Sequence, residues 1–171
     1  AFNGCTKITV LELGDGITSI GASAFRDCYG IKGDLVIPDT VTSLGAYAFY
    51  NCYGFDGTLT LSNKITTIPE NAFALCKNFT GELVIPDSVT TIGESAFWDC
   101  TSLTTITIPD SLTSISYGAF CGCSSLKSIT IPDSITSIGD LAFFECTALE
   151  NVYASDVLSW STINFQGGSA N

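Results

Sequence analysis

Apolar and polar residues alternate over short stretches that recur every 23 or 24 residues along the chain. In residues 126–131, for example, Leu126, Ile129 and Ile131 are separated by polar side chains. Such alternation is typical of a half-buried β-strand, and the strand is expected to end at Pro132, which has no N–H to donate. Residues 135–138 predict a second, shorter extended segment, and residues 139–144 leave room for about one helical turn.

Each period closes on an Ala-Phe pair that is followed, three residues after the phenylalanine, by a cysteine. A repeat of this length predicts a solenoid, in which each coil buries its apolar residues only against neighbouring coils. The longer units carry a glycine before the strand, which predicts a bulge or tight bend there. The repeated phenylalanines are Phe2, Phe25, Phe49, Phe73, Phe97, Phe120 and Phe143, the cysteines are Cys5, Cys28, Cys52, Cys76, Cys100, Cys123 and Cys146, and the glycines are Gly33, Gly57 and Gly81.

The predicted architecture is therefore one solenoid domain over residues 1–171, with about seven repeats. Short parallel β-strands are expected, with short helical or 3-10 turns on the convex side. Regular repeats cover about residues 1–153, and an atypical C-terminal capping unit covers about residues 154–171. The pattern decays there, because Ser155 stands where proline is expected and Trp160 and Phe165 break the spacing.

The charge balance limits the possible partners. The chain has a formal net charge of −11, with six Lys and Arg residues and no basic cluster, so nucleic acid is a poor partner. No apolar run is long enough to cross a bilayer, which argues against membrane insertion. The missing initiator methionine predicts a processed or excised piece.

The unit Cys-x-x-Leu-x-x-Ile-x-Ile-Pro-Asp-Ser-Val-Thr-x-Ile-Gly-x-x-Ala-Phe resembles the BspA-like leucine-rich repeat. The match is most literal over residues 100–123 and 123–146. This repeat is found in surface proteins of bacteria and protists. The resemblance implies that the chain is a surface protein that acts in adhesion or binds a matrix or a host.

The cysteines have two interpretations. Zinc sites need paired cysteines at short spacing, and here only Cys121 and Cys123 are close. Seven cysteines share one position per coil, which favours a buried ladder of free thiols, although disulfides between stacked neighbours stay possible. We expect Cys121 to be exposed and to be a candidate reactive thiol, because it occupies the position that other repeats fill with Asn3, Arg26, Tyr50, Ala74, Trp98 and Phe144.

A column of acidic or amide residues follows the proline position. Such residues form Asx turns, and the alternative is a calcium site built from stacked carboxylates. No metal site or cofactor is assigned from this pattern. The column is Asp15, Asp39, Asn63, Asp87, Asp110, Asp133 and Asp156.

The outward positions of the strand predict a binding face. Small hydroxyls dominate it, and threonine also suits a strand, so β-propensity alone is the competing explanation. A second array of Thr and Ser pairs begins at residues 18 and 19 and recurs in each coil. The candidate binding residues are Glu12, Val36, Thr58, Thr60, Glu82, Val84, Thr105, Thr107, Ser128, Thr130 and Tyr153.

Aromatic residues predict a belt on the convex side that either packs between coils or stacks on a sugar; they are Tyr50, Trp98 and Phe144, with Tyr29 and Tyr53. Asn78-Phe79-Thr80 is a sequon, which makes Asn78 a candidate glycosylation site.

Catalysis lacks its usual groups. The chain has no histidine, no Gly-rich phosphate loop and no paired carboxylates in an evident cleft. We therefore expect a non-catalytic extracellular or cell-surface protein that recognises a protein or glycan. The alternatives are a structural protomer that stacks head-to-tail into a filament or surface layer and, more remotely, ice binding through threonine ladders.

Overall fold

The computed structural model describes residues 1–154 and 157–166. The chain winds into coils whose strands stack in parallel along two sides. The first strand side contains β2 (Leu35–Val36), β4 (Leu59–Thr60), β6 (Gly81–Val84), β8 (Leu103–Thr107), β10 (Ser128–Ile131) and β12 (Asn151–Ala154). The second strand side contains β1 (Ser19–Ile20), β3 (Ser43–Leu44), β5 (Thr67–Ile68), β7 (Thr91–Ile92), β9 (Ser114–Ile115), β11 (Ser137–Ile138) and β13 (Asn164–Phe165).

The strand pairing is in register with the sequence repeat. Val84 pairs with Thr107 on the first strand side, and Thr130 pairs with Tyr153. The register slips once, between Gly81 and Glu82, where the sequence predicts a bulge. The solenoid prediction is confirmed, but the structure has about six complete turns rather than seven. Residues 8–14 do not form a strand, so the first unit adds no strand to the first strand side.

The third side of each coil, here called the turn side, consists of residues 21–28, 45–52, 69–76, 93–100, 116–123 and 139–146. The predicted helical turns are not formed there. Single i to i−3 bonds, such as Ala142 N to Gly139 O at 3.2 Å, are separated by residues with positive φ. A left-handed residue cannot continue a right-handed helix, so the segment stays a series of turns.

The apolar ladder forms one column inside the three sides. Phe49, Phe73, Phe97 and Phe120 have no exposed surface, and the same column holds the Ile and Leu residues of both strand sides. At the C-terminal end, the one described helix, α1 (Val157–Thr162), precedes β13, which pairs with β11. Trp160 packs against the core and meets the Phe165 ring edge-on at 5.7 Å. No helix in the described residues is long and apolar enough to cross a membrane.

Both strand sides are interrupted. On the first side β2 and β4 form one sheet and β6, β8, β10 and β12 form another. On the second side the sheets are β1–β3, β5–β7 and β9–β11–β13. On the second strand side, the gap between β3 and β5 has a clear cause. Gly45 and Gly93 each donate an N–H to the preceding coil at 2.7 Å, whereas Pro69 at the equivalent position has no N–H to donate. At the gap between β7 and β9, the hydroxyl of Ser116, rather than its backbone N–H, donates to Ile92 O.

Candidate functional site

The candidate binding residues lie together on the outer surface of the first strand side. Nine of them are exposed, whereas Thr105 and Ser128 are half-buried. Apolar side chains interrupt the polar surface, since Val36 is 55% exposed, Val84 53% and Tyr153 56%. The first strand side therefore presents polar and apolar side chains at the spacing of the coils.

Some polar groups of this face already bond to each other. Asp34 Oδ1 accepts hydrogen bonds from Thr58 N at 2.6 Å and from Thr58 Oγ1 at 2.9 Å. The bond from the Thr58 backbone, followed by that from its hydroxyl, lowers the pKa of the Asp34 carboxyl. Thr107 Oγ1 donates to Glu82 Oε1 at 2.7 Å. The face is therefore partly pre-organised by bonds between coils.

The turn side explains why alanine, phenylalanine and cysteine recur together. The N–H of each repeated phenylalanine from Phe2 to Phe120 donates to the alanine carbonyl of the next coil, for example Phe73 N to Ala96 O at 2.9 Å. The phenylalanine rings of neighbouring coils stack with centroids 5.2–5.7 Å apart. Each repeat cysteine from Cys28 onward donates its S–H back to the phenylalanine carbonyl of the preceding coil, as Cys52 does to Phe25 at 2.9 Å.

The prediction of a free-thiol ladder is confirmed. All eight cysteines are free, and the repeat cysteines from Cys28 to Cys146 are buried while Cys5 is half-buried. Burial raises the pKa of the Cys52 thiol to about 12 and of the Cys146 thiol to about 11. These thiols are protonated at neutral pH and shielded from oxidants.

The predicted exposure of Cys121 is wrong. The residue is only 3% exposed, as is Ala74 at the equivalent position with 1%, whereas the larger Phe144 is 40% exposed. Burial, with smaller effects from Glu145 and Asp99, raises the pKa of Cys121 to about 11. The structure thus removes the basis on which Cys121 was a candidate reactive thiol.

The acidic column behaves differently from coil to coil. The Asx-turn prediction is wrong for Asp39, whose Oδ1 accepts from Asn63 N of the next coil at 2.7 Å. Asp87 and Asp110 are exposed, and Asp156 lies outside the described residues. Over residues 1–154 and 157–166, no group of three or more Cys, Asp or Glu residues could hold a metal ion.

The aromatic residues form separate contacts rather than one belt. Tyr29 and Tyr53 stack at 5.2 Å, and Arg26 lies over the rings of Tyr47 and Tyr50. Trp98 is half-buried, and Phe144 is 40% exposed. The candidate glycosylation residue Asn78 is exposed, but its Nδ2 donates to Tyr53 O at 2.7 Å, so a glycan would have to replace that bond.

Sequence reasoning missed two columns of left-handed residues on the turn side. Their signal was present in the sequence, because Asn, Asp and Gly, which tolerate positive φ, occupy several of the equivalent positions. The first column is Ser23, Tyr47, Asn71, Ser95, Gly118 and Leu141. The second column is Asp27, Asn51, Leu75, Asp99, Gly122 and Glu145.

A parallel-stranded solenoid with leucine-rich-repeat spacing is the class of protein that this fold defines. Six copies of the repeat described as "BspA type Leucine rich repeat region" match residues 1–81 and 80–167. The chain belongs to this family of BspA-type leucine-rich repeat proteins, which are typically surface proteins and generally not enzymes. No functionally curated protein matches the chain.

Solved bacterial structures share the fold. A leucine-rich repeat protein from Bacteroides ovatus is 32% identical with a TM-score of 0.61, covering 80% of this chain and 40% of that one. A leucine rich cell surface protein from Faecalibacterium prausnitzii is 23% identical with a TM-score of 0.53, covering 98% of this chain and 65% of that one. The T. pallidum leucine rich repeat protein is 25% identical with a TM-score of 0.59, covering 89% of this chain and 79% of that one. The chain thus spans less than two thirds of the first two of these relatives.

Proposed function

We propose that this chain is a non-catalytic recognition module at the cell surface, and that its first strand side binds a protein or glycan. The observation that carries the proposal is the exposure of Val36, Val84 and Tyr153 among hydroxyl and acidic side chains on one side of the solenoid. Exposed apolar groups within a polar surface are common at interaction sites. The family and the cell-surface relative support the location.

The buried thiols are compatible with an extracellular location. Disulfides form readily there, and exposed free thiols are oxidised. The repeat cysteines from Cys28 onward avoid both outcomes, because each is enclosed by the coils and its S–H is bonded to a backbone carbonyl. An oxidising environment therefore leaves the core intact.

The test compares charged substitutions on the two strand sides. Val36→Glu and Thr130→Glu alter the first strand side. The matched control is Thr66→Glu, which alters an exposed residue on the second strand side. Each protein is measured against a glycan array and a panel of purified secreted proteins. We expect binding to be lost only with the first-side variants. Unchanged binding in those variants, or no binding by the unaltered chain, would contradict the proposal.

The same samples separate recognition from self-assembly. Phe2 and Val10 are exposed in the first turn, and they would be the contact residues in head-to-tail stacking. Sedimentation velocity at micromolar concentration distinguishes a constant monomer from species that grow with concentration. Ice binding would appear as thermal hysteresis, which is not expected because Val36, Glu82 and Val84 interrupt the hydroxyl lanes.

A further inference from the structure

A groove lies on the first strand side where the sheet is interrupted between β4 and β6. Its volume is about 370 Å³, and Thr60, Leu61, Glu82 and Val84 are among the residues that line it. A second groove of about 300 Å³ continues along the proline edge toward Asp87 and Asp110. The two share Asn63, Val84 and Pro86, so they form one continuous depression across three coils.

Backbone groups are left without partners in this groove. In the preceding pair of coils, Leu35 N donates to Thr58 O and Ile37 N donates to Thr60 O, both at 2.9 Å. The equivalent bonds at the break would join Leu59 N to Glu82 O and Leu61 N to Val84 O. Neither forms in the described residues. Buried backbone donors and acceptors need partners, and the peptide groups of another chain supply both kinds.

Carboxylates at the edge of the groove are also unpaired. Asp39, one coil before the groove, is bonded to Asn63, whereas Asp87 and Asp110 have no bonded partner within residues 1–154 and 157–166. Glu82 is held by Thr107 through Oε1 only. Glu82, Asp87 and Asp110 line the two connected grooves, and none of the described lining residues is Lys or Arg.

We propose that this groove docks an extended, positively charged segment of a partner protein. Its main chain would bond to the groups at the break, while a Lys or Arg side chain lies along Val84 and reaches Asp87 and Asp110. Long basic side chains pack their aliphatic part on apolar surface and keep the charged end in water. The net charge of −11 adds attraction over a longer range. This inference rests on the proposed function, because it specifies the partner of the same face.

The experiment begins with a displayed library of random octapeptides selected on the immobilised chain. Enriched peptides are synthesised and titrated calorimetrically against the unaltered chain and two variants. One variant, Asp87→Asn with Asp110→Asn, removes both groove carboxylates. The control, Asp15→Asn, removes an exposed carboxylate of the same column in the first coil. Melting curves check that all three proteins are folded.

We expect Lys or Arg to be enriched and the double variant to bind three- to tenfold more weakly, since each exposed ion pair contributes modestly. Asp15→Asn should change affinity less than twofold. Amide exchange at Leu59 and Leu61 should slow when peptide binds, which general attraction to an acidic surface would not cause.

Three results would overturn the inference. They are a library without binders, binders without Lys or Arg, and binders that respond equally to the double variant and to Asp15→Asn. A glycan that binds the first strand side while no peptide does would overturn the inference and leave the proposed function standing. Loss of all binding in both experiments would remove the proposed function as well.

Discussion

The turn side is continuous along the solenoid, whereas both strand sides are broken. Every coil interface on the turn side has the same set of bonds, with Phe49 N to Ala72 O at 2.8 Å and Cys76 Sγ to Phe49 O at 3.1 Å as one example. The strand sides lose their pairing at Pro69 and between β4 and β6. The comparison shows that the turn side and the core hold the coils in register, which leaves the strand sides free to vary.

The largest expected effect comes from breaking the phenylalanine stack in the middle. Phe97 has no exposed surface and stacks on Phe73 and Phe120, at 5.4 and 5.6 Å. Phe97→Ala should lower the free energy of unfolding by about 3–5 kcal/mol through lost burial and a cavity. Phe2 is 48% exposed and stacks only on Phe25, so Phe2→Ala should cost less than about 1 kcal/mol. Equal denaturant midpoints would contradict the continuous stack.

The buried thiols should make the protein less stable above about pH 9. Burial raises the pKa of Cys100 well above its ordinary value of 9.0, so the native state keeps a proton that the unfolded chain releases. The stabilisation is complete below pH 9 and is lost as pH rises toward the native pKa, by about 1.4 kcal/mol per pH unit for each thiol.

Urea unfolding at pH 8, 9 and 10 measures this dependence. Cys100→Ala removes one thiol, so its stability should fall less steeply with pH than that of the unaltered chain. Identical slopes for the two proteins would show that this thiol ionises equally in both states.

A smaller effect is expected from repairing the first gap on the second strand side. Pro69→Ala supplies an N–H that can donate to the preceding coil, as Gly93 N does to Ile68 O. One hydrogen bond contributes about 0.5–1.5 kcal/mol, and the loss of proline rigidity opposes it by about 0.4–1 kcal/mol. Stability should therefore change by less than about 1 kcal/mol, while the new amide at residue 69 exchanges slowly. Fast exchange of that amide would mean that another contact keeps the gap open.

The smallest expected effect is that of calcium. The acidic column bonds between coils at Asp39 and forms no cluster of metal ligands in the described residues. Millimolar Ca²⁺ should therefore raise the melting temperature no more than NaCl at matched ionic strength, because only specific binding to the native state stabilises it appreciably. A rise of many degrees with Ca²⁺ alone would restore the calcium hypothesis.

Much of the fold could be predicted from the repeat, and the reasons lie in particular residues. The period of the Ala-Phe pair fixed the stacking of Phe25 on Phe49, and the alternation in residues 126–131 predicted β10. The prediction for Cys121 was wrong, because small side chains at this position are buried, as Ala74 also is, whereas the larger Phe144 extends to the surface. The placement of the candidate binding residues on one face followed from strand alternation, but the groove did not, since it depends on bonds missing between two coils.

The sequence by itself determined the solenoid, the family and the thiol ladder, because each depends on a residue type repeated at a fixed spacing. Tertiary structure decided where the ladder of hydrogen bonds stops and which carboxylates remain unpaired. Those features arise from the fit between neighbouring coils, such as Asp39 against Asn63, in contrast to Asp87 and Asp110. A repeat pattern specifies what every coil shares, whereas a binding groove depends on how particular coils differ.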